Sequence, residues 1–140
     1  MIGAMHAALR RLALLAIVTL VAAACMSSLD VIAEKSWTLA SVGGAAPAAP
    51  GGVTFHANGA FELQTGCNAA GGTFEVQGNR LVIGPMQTTL MLCEGLVGAQ
   101  ETAVMGVFTG GLLFAIDTGT GQLRLTGANG TVLLFNAPAG

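Results

Sequence analysis

Residues 64–74 read QTGCNAAGGTF and place a cysteine, Cys67, in a glycine-rich bend between two segments with the character of β-strands. Gly66 and Asn68 permit the bend because glycine and asparagine tolerate backbone conformations that most residues avoid. We expect Gly72 to turn the chain into the next strand, and Cys67 to point to the interior or to another cysteine. The residues leave four roles for this thiol: nucleophile, metal ligand, half of a disulfide, or small turn residue.

Short β-segments with explicit turns continue on both sides of this bend. The segments GVTFHA and AFELQT flank Asn58–Gly59, a pair that readily forms a tight hairpin. Similar turn sequences occur at residues 77–79, 118–121 and 128–130, and SWTLASV at 36–42 predicts a first strand followed by a Gly/Pro/Ala loop. Period-two alternation predicts the following inward pairs: Trp37 and Leu39, Phe61 and Leu63, Phe74 and Val76, Leu81 and Ile83, Leu123 and Leu125, and Leu133 and Phe135.

One segment has helical rather than strand spacing. Residues 94–109, EGLVGAQETAVMGVFT, carry widely spaced apolar residues with Glu94, Gln100 and Glu101 between them. We expect an amphipathic helix whose apolar face covers an open side of the sheet. About eight antiparallel strands favour a sheet that curls on itself, because closure removes exposed edges. The predicted fold is therefore mainly β, a small antiparallel rolled sheet or partly open β-barrel with one α-helix.

The beginning of the chain is typical of an exported protein. Arg10 and Arg11 precede an apolar run that ends in small residues, which predicts a secretory signal peptide over residues 1–24. The following Cys25, preceded by three alanines, is similar to the lipobox of bacterial lipoproteins, in which the cysteine is acylated and becomes the mature N-terminus. An ordinary cleavage site followed by an unrelated cysteine is the alternative. We assign residues 25–35 to a lipidated N-terminus and tether, and residues 36–140 to one domain.

The chain has three cysteines, an odd number for an exported protein. If Cys25 carries lipid, Cys67 and Cys93 remain as a pair in a compartment where disulfides persist. We predict that this bridge clamps the bend at Cys67 to the segment that enters the helix. Two free thiols packed as small core residues remain the alternative.

Composition argues against several other functions. Without residues 1–24 the chain keeps three cationic side chains against seven carboxylates, a net charge of −4, and this balance disfavours nucleic-acid binding. Two spare cysteines and His56 are too few for a zinc site, and we expect His56 to be a solvated strand residue rather than a catalytic base. Alternation also places Glu62 and Glu75 on solvent-facing sides of strands. We therefore predict no catalytic, cofactor-binding or metal-binding residues.

The order of motifs resembles the META domain, also called the HslJ-like heat-shock domain. The similarity covers roughly residues 37–136. It is carried by these residues: Trp37-Thr38-Leu39, Gly66-Cys67-Asn68 with Gly72-Thr73-Phe74, Thr89-Leu90-Met91-Leu92-Cys93, Glu101, and the closing GQLRLTGANGTVLLF. The resemblance implies a mainly β fold with one helix, residence in the bacterial envelope, and an association with stress or antibiotic tolerance. It implies no catalytic residues.

Together these observations predict a non-enzymatic module of the bacterial cell envelope. We expect a lipid anchor to attach it to a membrane, the outer membrane facing the periplasm if the organism has one. We expect it to act by binding an envelope protein or by structural support. The alternative function is a carrier of a small hydrophobic ligand that binds in the mouth of the barrel.

Overall fold

The computed structural model describes residues 28–140, which form eight β-strands and one α-helix. The helix α1 spans Gly95–Val107 and lies between the fifth and sixth strands in the chain. The strands are β1 (Lys35–Val42), β2 (Gly52–Phe55), β3 (Ala60–Gln64), β4 (Ala69–Gln77), β5 (Arg80–Thr88), β6 (Gly111–Ile116), β7 (Leu123–Thr126) and β8 (Val132–Asn136).

The strands form a closed antiparallel barrel in which each strand pairs with its neighbours in the sequence. Closure comes from the pairing of β1 with β8, where Leu39 lies opposite Phe135 and Val42 opposite Leu133. The predicted mainly β fold with a single helix is confirmed. The barrel is closed rather than partly open, because the last strand reaches the first and satisfies the hydrogen bonds of both edges.

The turns that the sequence predicts join adjacent strands. Gly59, in the turn between β2 and β3, has φ +86°, and Gly78, between β4 and β5, has φ +64°. The prediction that Gly72 turns the chain into the next strand is wrong, because β4 already begins at Ala69. Gly72 lies inside β4, next to a register shift opposite β5, where a Cβ atom would collide with the carbonyl oxygen of Pro85.

Alternating side chains fill the interior of the barrel. The Phe55 ring lies edge-on to Phe74 with centroids 5.1 Å apart, and the Phe61 ring stacks on Phe108 at 5.5 Å. Phe108 directly follows α1, so this contact joins the helix to the strand core. The predicted inward residues Trp37, Leu39, Phe61, Leu63, Phe74, Leu81, Ile83, Leu123, Leu125, Leu133 and Phe135 are all buried, whereas Val76 is only partly so.

The two ends of the barrel are built differently. At the end that we call the helix end, α1 packs against the loops that follow β1, β3 and β5. The opposite end carries the turns after β2, β4 and β6, together with residues 28–34. Ile32 is fully buried there, and its carbonyl oxygen accepts a hydrogen bond from the Trp37 indole at 2.9 Å. The packed part of the chain thus begins before the predicted boundary at residue 36, since Ile32 belongs to the core.

Within residues 28–140, no helix combines the length and apolar character needed to cross a bilayer. The helix α1 has 13 residues and buries Gln100, Val104 and Val107. The face that carries these three residues packs against the barrel, whereas Leu96 at the start of the helix is exposed.

Replacing Phe108 by alanine is expected to destabilise the fold by about 3–5 kcal/mol, because a fully buried ring would leave a cavity between α1 and β3. The measurement is chemical denaturation followed by circular dichroism. Leu113→Ala is the matched control: Leu113 is 47% exposed on β6, and its truncation should cost less than about 1 kcal/mol. Equal losses in the two variants would contradict this role of Phe108.

Candidate functional site

The bend at Cys67 is held by the side chain of Thr65, which is fully buried. The Thr65 hydroxyl oxygen accepts hydrogen bonds from the backbone N–H groups of Asn68 at 2.9 Å and Cys67 at 3.2 Å. The same hydroxyl contacts the carboxylate of Glu101 on α1. Gly66 has φ +104°, and a Cβ atom there would strike the amide of Gln100. Both the conformation and the close approach of the helix therefore require glycine at this position.

The Asn68 side chain connects three separate segments. Its amide oxygen accepts hydrogen bonds from the Thr89 hydroxyl at 2.8 Å and from the Met91 N–H at 2.7 Å. Its amide nitrogen donates to the Met91 carbonyl and to Glu101 Oε1, both at 3.1 Å. Both lone pairs and both protons of the amide are thus used. Asn68 fixes the segment after β5 against the bend after β3 and against α1.

A disulfide joins Cys67 to Cys93 beside this amide. The two Cα atoms lie 6.3 Å apart, within the usual range for a disulfide. The bridge connects the bend after β3 to the residue that precedes Glu94 and α1, which is the clamp predicted from the cysteine count. Since both cysteines are engaged, neither is a free nucleophile or metal ligand in this state.

Gln100 makes a second set of contacts across the helix end. Its amide oxygen accepts hydrogen bonds from the N–H groups of Ala48 at 2.7 Å and Ala49 at 3.3 Å. Its nitrogen donates to the carbonyl oxygens of Thr65 at 2.7 Å and Ala49 at 2.9 Å. The helical spacing predicts Gln100 among the polar residues between the apolar positions, whereas the structure buries it. Its spacing of four residues from Val104 was the signal that it lies on the packed face.

His56 lies at the opposite end of the barrel, away from the two cysteines. It is half-buried, with Nδ1 3.5 Å from Glu34 Oε2 and Nε2 3.8 Å from Glu62 Oε1. The hydrogen bond from the Ala57 N–H, aided by His56, lowers the pKa of Glu34 below its ordinary value.

Over residues 28–140, no group of three or more His, Cys, Asp or Glu side chains is placed to hold a metal ion. Cys25 lies outside the described residues.

Asn68→Ala is expected to destabilise the protein by about 2–4 kcal/mol, because it removes four hydrogen bonds that a buried side chain makes to Met91, Thr89 and Glu101. Asn79→Ala, on the exposed turn between β4 and β5, is the control and should change stability by less than about 0.5 kcal/mol.

Asn68→Asp removes the amide donors but keeps nearly the same side-chain volume, so it tests the hydrogen bonds without creating a cavity. The new carboxylate would face Glu101, so its pKa in the folded state would be raised and folding would take up a proton. We expect its stability to be lowest at neutral pH and to recover as the pH falls, in melts recorded over a pH series. A variant with the same pH profile as the native protein would contradict the contact with Glu101.

Reduction of the disulfide is expected to cost up to about 3.5 kcal/mol, the chain-entropy value for a sequence separation of 26 residues. Thermal melts with and without a thiol reductant measure this. A Cys67→Ser, Cys93→Ser double variant should already have the lower stability and should not respond to reductant. An unchanged melt of the native protein after complete reduction would contradict a stabilising role.

Comparisons with known proteins agree with this architecture. No curated protein matches the chain. The NMR structure of a protein from Burkholderia xenovorans is similar, with TM-score 0.61 and 21% identity, covering 81% of this chain and 88% of that one. A second NMR structure has TM-score 0.65 and 18% identity, covering 79% and 95%. At these identities the likeness concerns the fold alone. The sequence model of the META domain matches residues 30–139, and the chain therefore belongs to the META domain family.

Proposed function

We propose that this META domain protein is a non-enzymatic, lipid-anchored module of the bacterial cell envelope. The observation that carries the proposal is the sequence at Cys25, where three alanines follow an apolar run and precede a cysteine. Removal of residues 1–24 would leave Cys25 as an acylated N-terminus. In a cell with two membranes, the proposed location is the outer membrane, facing the periplasm.

The position of Ser28 fits an acyl anchor on Cys25 at the end of the barrel opposite α1. Ser28 lies beside Ala57 and Asn58, at the end of the barrel opposite α1. Two residues separate it from Cys25, and the three residue steps between them span at most about 11 Å. An acyl chain on Cys25 would therefore hold the opposite end of the barrel near the bilayer and direct the helix end away from it.

The chemistry of the helix end supports a role in binding or structural support rather than catalysis. The carboxylate of Glu101 is engaged with Asn68 and Thr65, and the sulfur atoms of Cys67 and Cys93 are joined. We propose that the protein supports tolerance of envelope stress, as the family resemblance implies.

The alternative function, a carrier of a small hydrophobic ligand, has less support. The interior is occupied by the buried rings of Phe55, Phe61, Phe74 and Phe108, which pack against one another. A ligand in the barrel would have to displace this aromatic cluster. Side-chain packing thus favours the binding module over the carrier.

Metabolic labelling with a fatty acid that carries a detectable tag tests the anchor. We expect the tag in the native protein, a mature chain that begins at Cys25, and recovery in the membrane fraction. Cys25→Ser should abolish the label and release the protein from the membrane fraction. The Cys67→Ser, Cys93→Ser double variant is the control and should keep the label. An unlabelled native chain, or one that begins at another residue, would refute the anchor.

A further inference from the structure

The segment between β5 and α1 exposes large apolar side chains in an otherwise well-packed domain. Leu90 is 92% exposed, Leu92 89% and Leu96 79%, and Met91 beside them is also exposed. We call these four residues the leucine surface. Such a concentration of exposed apolar side chains in seven consecutive positions is typical of an interaction site. We propose that the leucine surface binds an apolar segment of another protein that is flanked by lysine or arginine residues.

The backbone beneath the leucine surface is held firmly in place. The N–H and carbonyl groups of Met91 both bind the Asn68 side chain, and Cys93 is tied to Cys67 by the disulfide. An exposed apolar loop that is already ordered loses little conformational entropy when a partner binds. The Gly66-Cys67-Asn68 bend thus presents the leucines to a partner.

A groove continues the leucine surface along α1. It has a volume of about 470 Å³ and lies between the start of the helix and the loop after β1. Leu96 and Ala99 form one wall, and Ala45 and Pro47 contribute to the other. This volume is within the range of sites that accept apolar groups. One or more side chains of the partner segment would enter the groove. Leu90 and Leu92 would contact the adjacent side chains of the same segment.

The charges around the leucine surface indicate that the partner segment carries basic residues. Residues 36–79 and 81–123 contain no lysine or arginine, so the loops of the helix end and α1 carry no cationic side chain. The carboxylate of Glu94 is exposed between Leu92 and Leu96. A surface of this composition favours basic residues on the partner and gives no attraction for anionic lipid head groups.

The position of the chain's N-terminal part also argues against the bilayer as the occupant. This inference deepens the proposed function and rests on it. Ser28 lies at the opposite end of the barrel, whereas Leu90 follows the end of β5 at the helix end. The nine residues of β5 extend over about 30 Å. A bilayer that held Cys25 would therefore lie at the far end from the leucine surface.

Binding to three short synthetic peptides tests the proposal, with the full chain reconstituted in phosphatidylcholine nanodiscs. The first has an apolar core with lysine flanks, the second the same core with glutamate flanks, and the third a Gly/Ser core with lysine flanks. We expect only the first to bind, with NMR shift changes at residues 45–48 and 90–99 and weaker binding at high salt. Leu92→Ser and Leu96→Ser should each weaken binding at least about tenfold.

Leu113→Ser is the matched control, because Leu113 is an exposed leucine on β6 that lies outside the leucine surface. It should leave binding unchanged. Equal binding of all three peptides, or binding of none, would overturn the proposal. Selective broadening of Leu90 and Leu92 signals by a lipid-borne spin label would assign the surface to the membrane instead. A dimer that Leu92→Ser abolishes would assign it to a second copy.

The test separates the surface from the anchor. A chain recovered without an acyl group would refute the anchor, and the same peptides would then be titrated into the protein in solution. Selective binding of the first peptide there would support the leucine surface on its own. Conversely, an acylated chain that binds none of the peptides would overturn the surface and leave the anchor in place.

Discussion

The four hydrogen bonds of the Asn68 side chain hold the helix end together. One amide fixes the segment after β5, the bend after β3 and the middle of α1. Over residues 28–140, every buried polar side-chain atom has a hydrogen-bond partner, so this polar cluster does not weaken the core. The disulfide acts on the same segments, which makes the Gly-Cys-Asn sequence one structural unit.

The two ends of the barrel serve different purposes in the function that we propose. The opposite end receives the N-terminal segment, where Ile32 fills the core and Trp37 binds its carbonyl group. The helix end combines a rigid backbone with exposed leucines. The strands between them form a closed barrel that is filled with aromatic and aliphatic side chains.

The sequence predicted the features that depend on neighbouring residues. Alternation identified the inward faces, glycine and asparagine marked the hairpins, and the spacing around Val104 marked α1. The role of Asn68 could not be predicted because its partners Thr89, Met91 and Glu101 lie 21 to 33 positions away. Closure of the barrel depends on pairing between β1 and β8, which no local pattern encodes. Ile32 was missed because it is out of step with the alternating apolar residues Leu29, Val31 and Ala33 around it.

The pairing of β1 with β8 has a consequence for biogenesis. A ribosome produces the chain from its N-terminus, so β1 exists long before Val132–Asn136 has been made. Until then one side of β1 is an unpaired edge whose backbone groups are open to other chains. Contacts between residues so distant in sequence also make folding slow. The edge of β1 therefore stays open to pairing with other chains until β8 has been made.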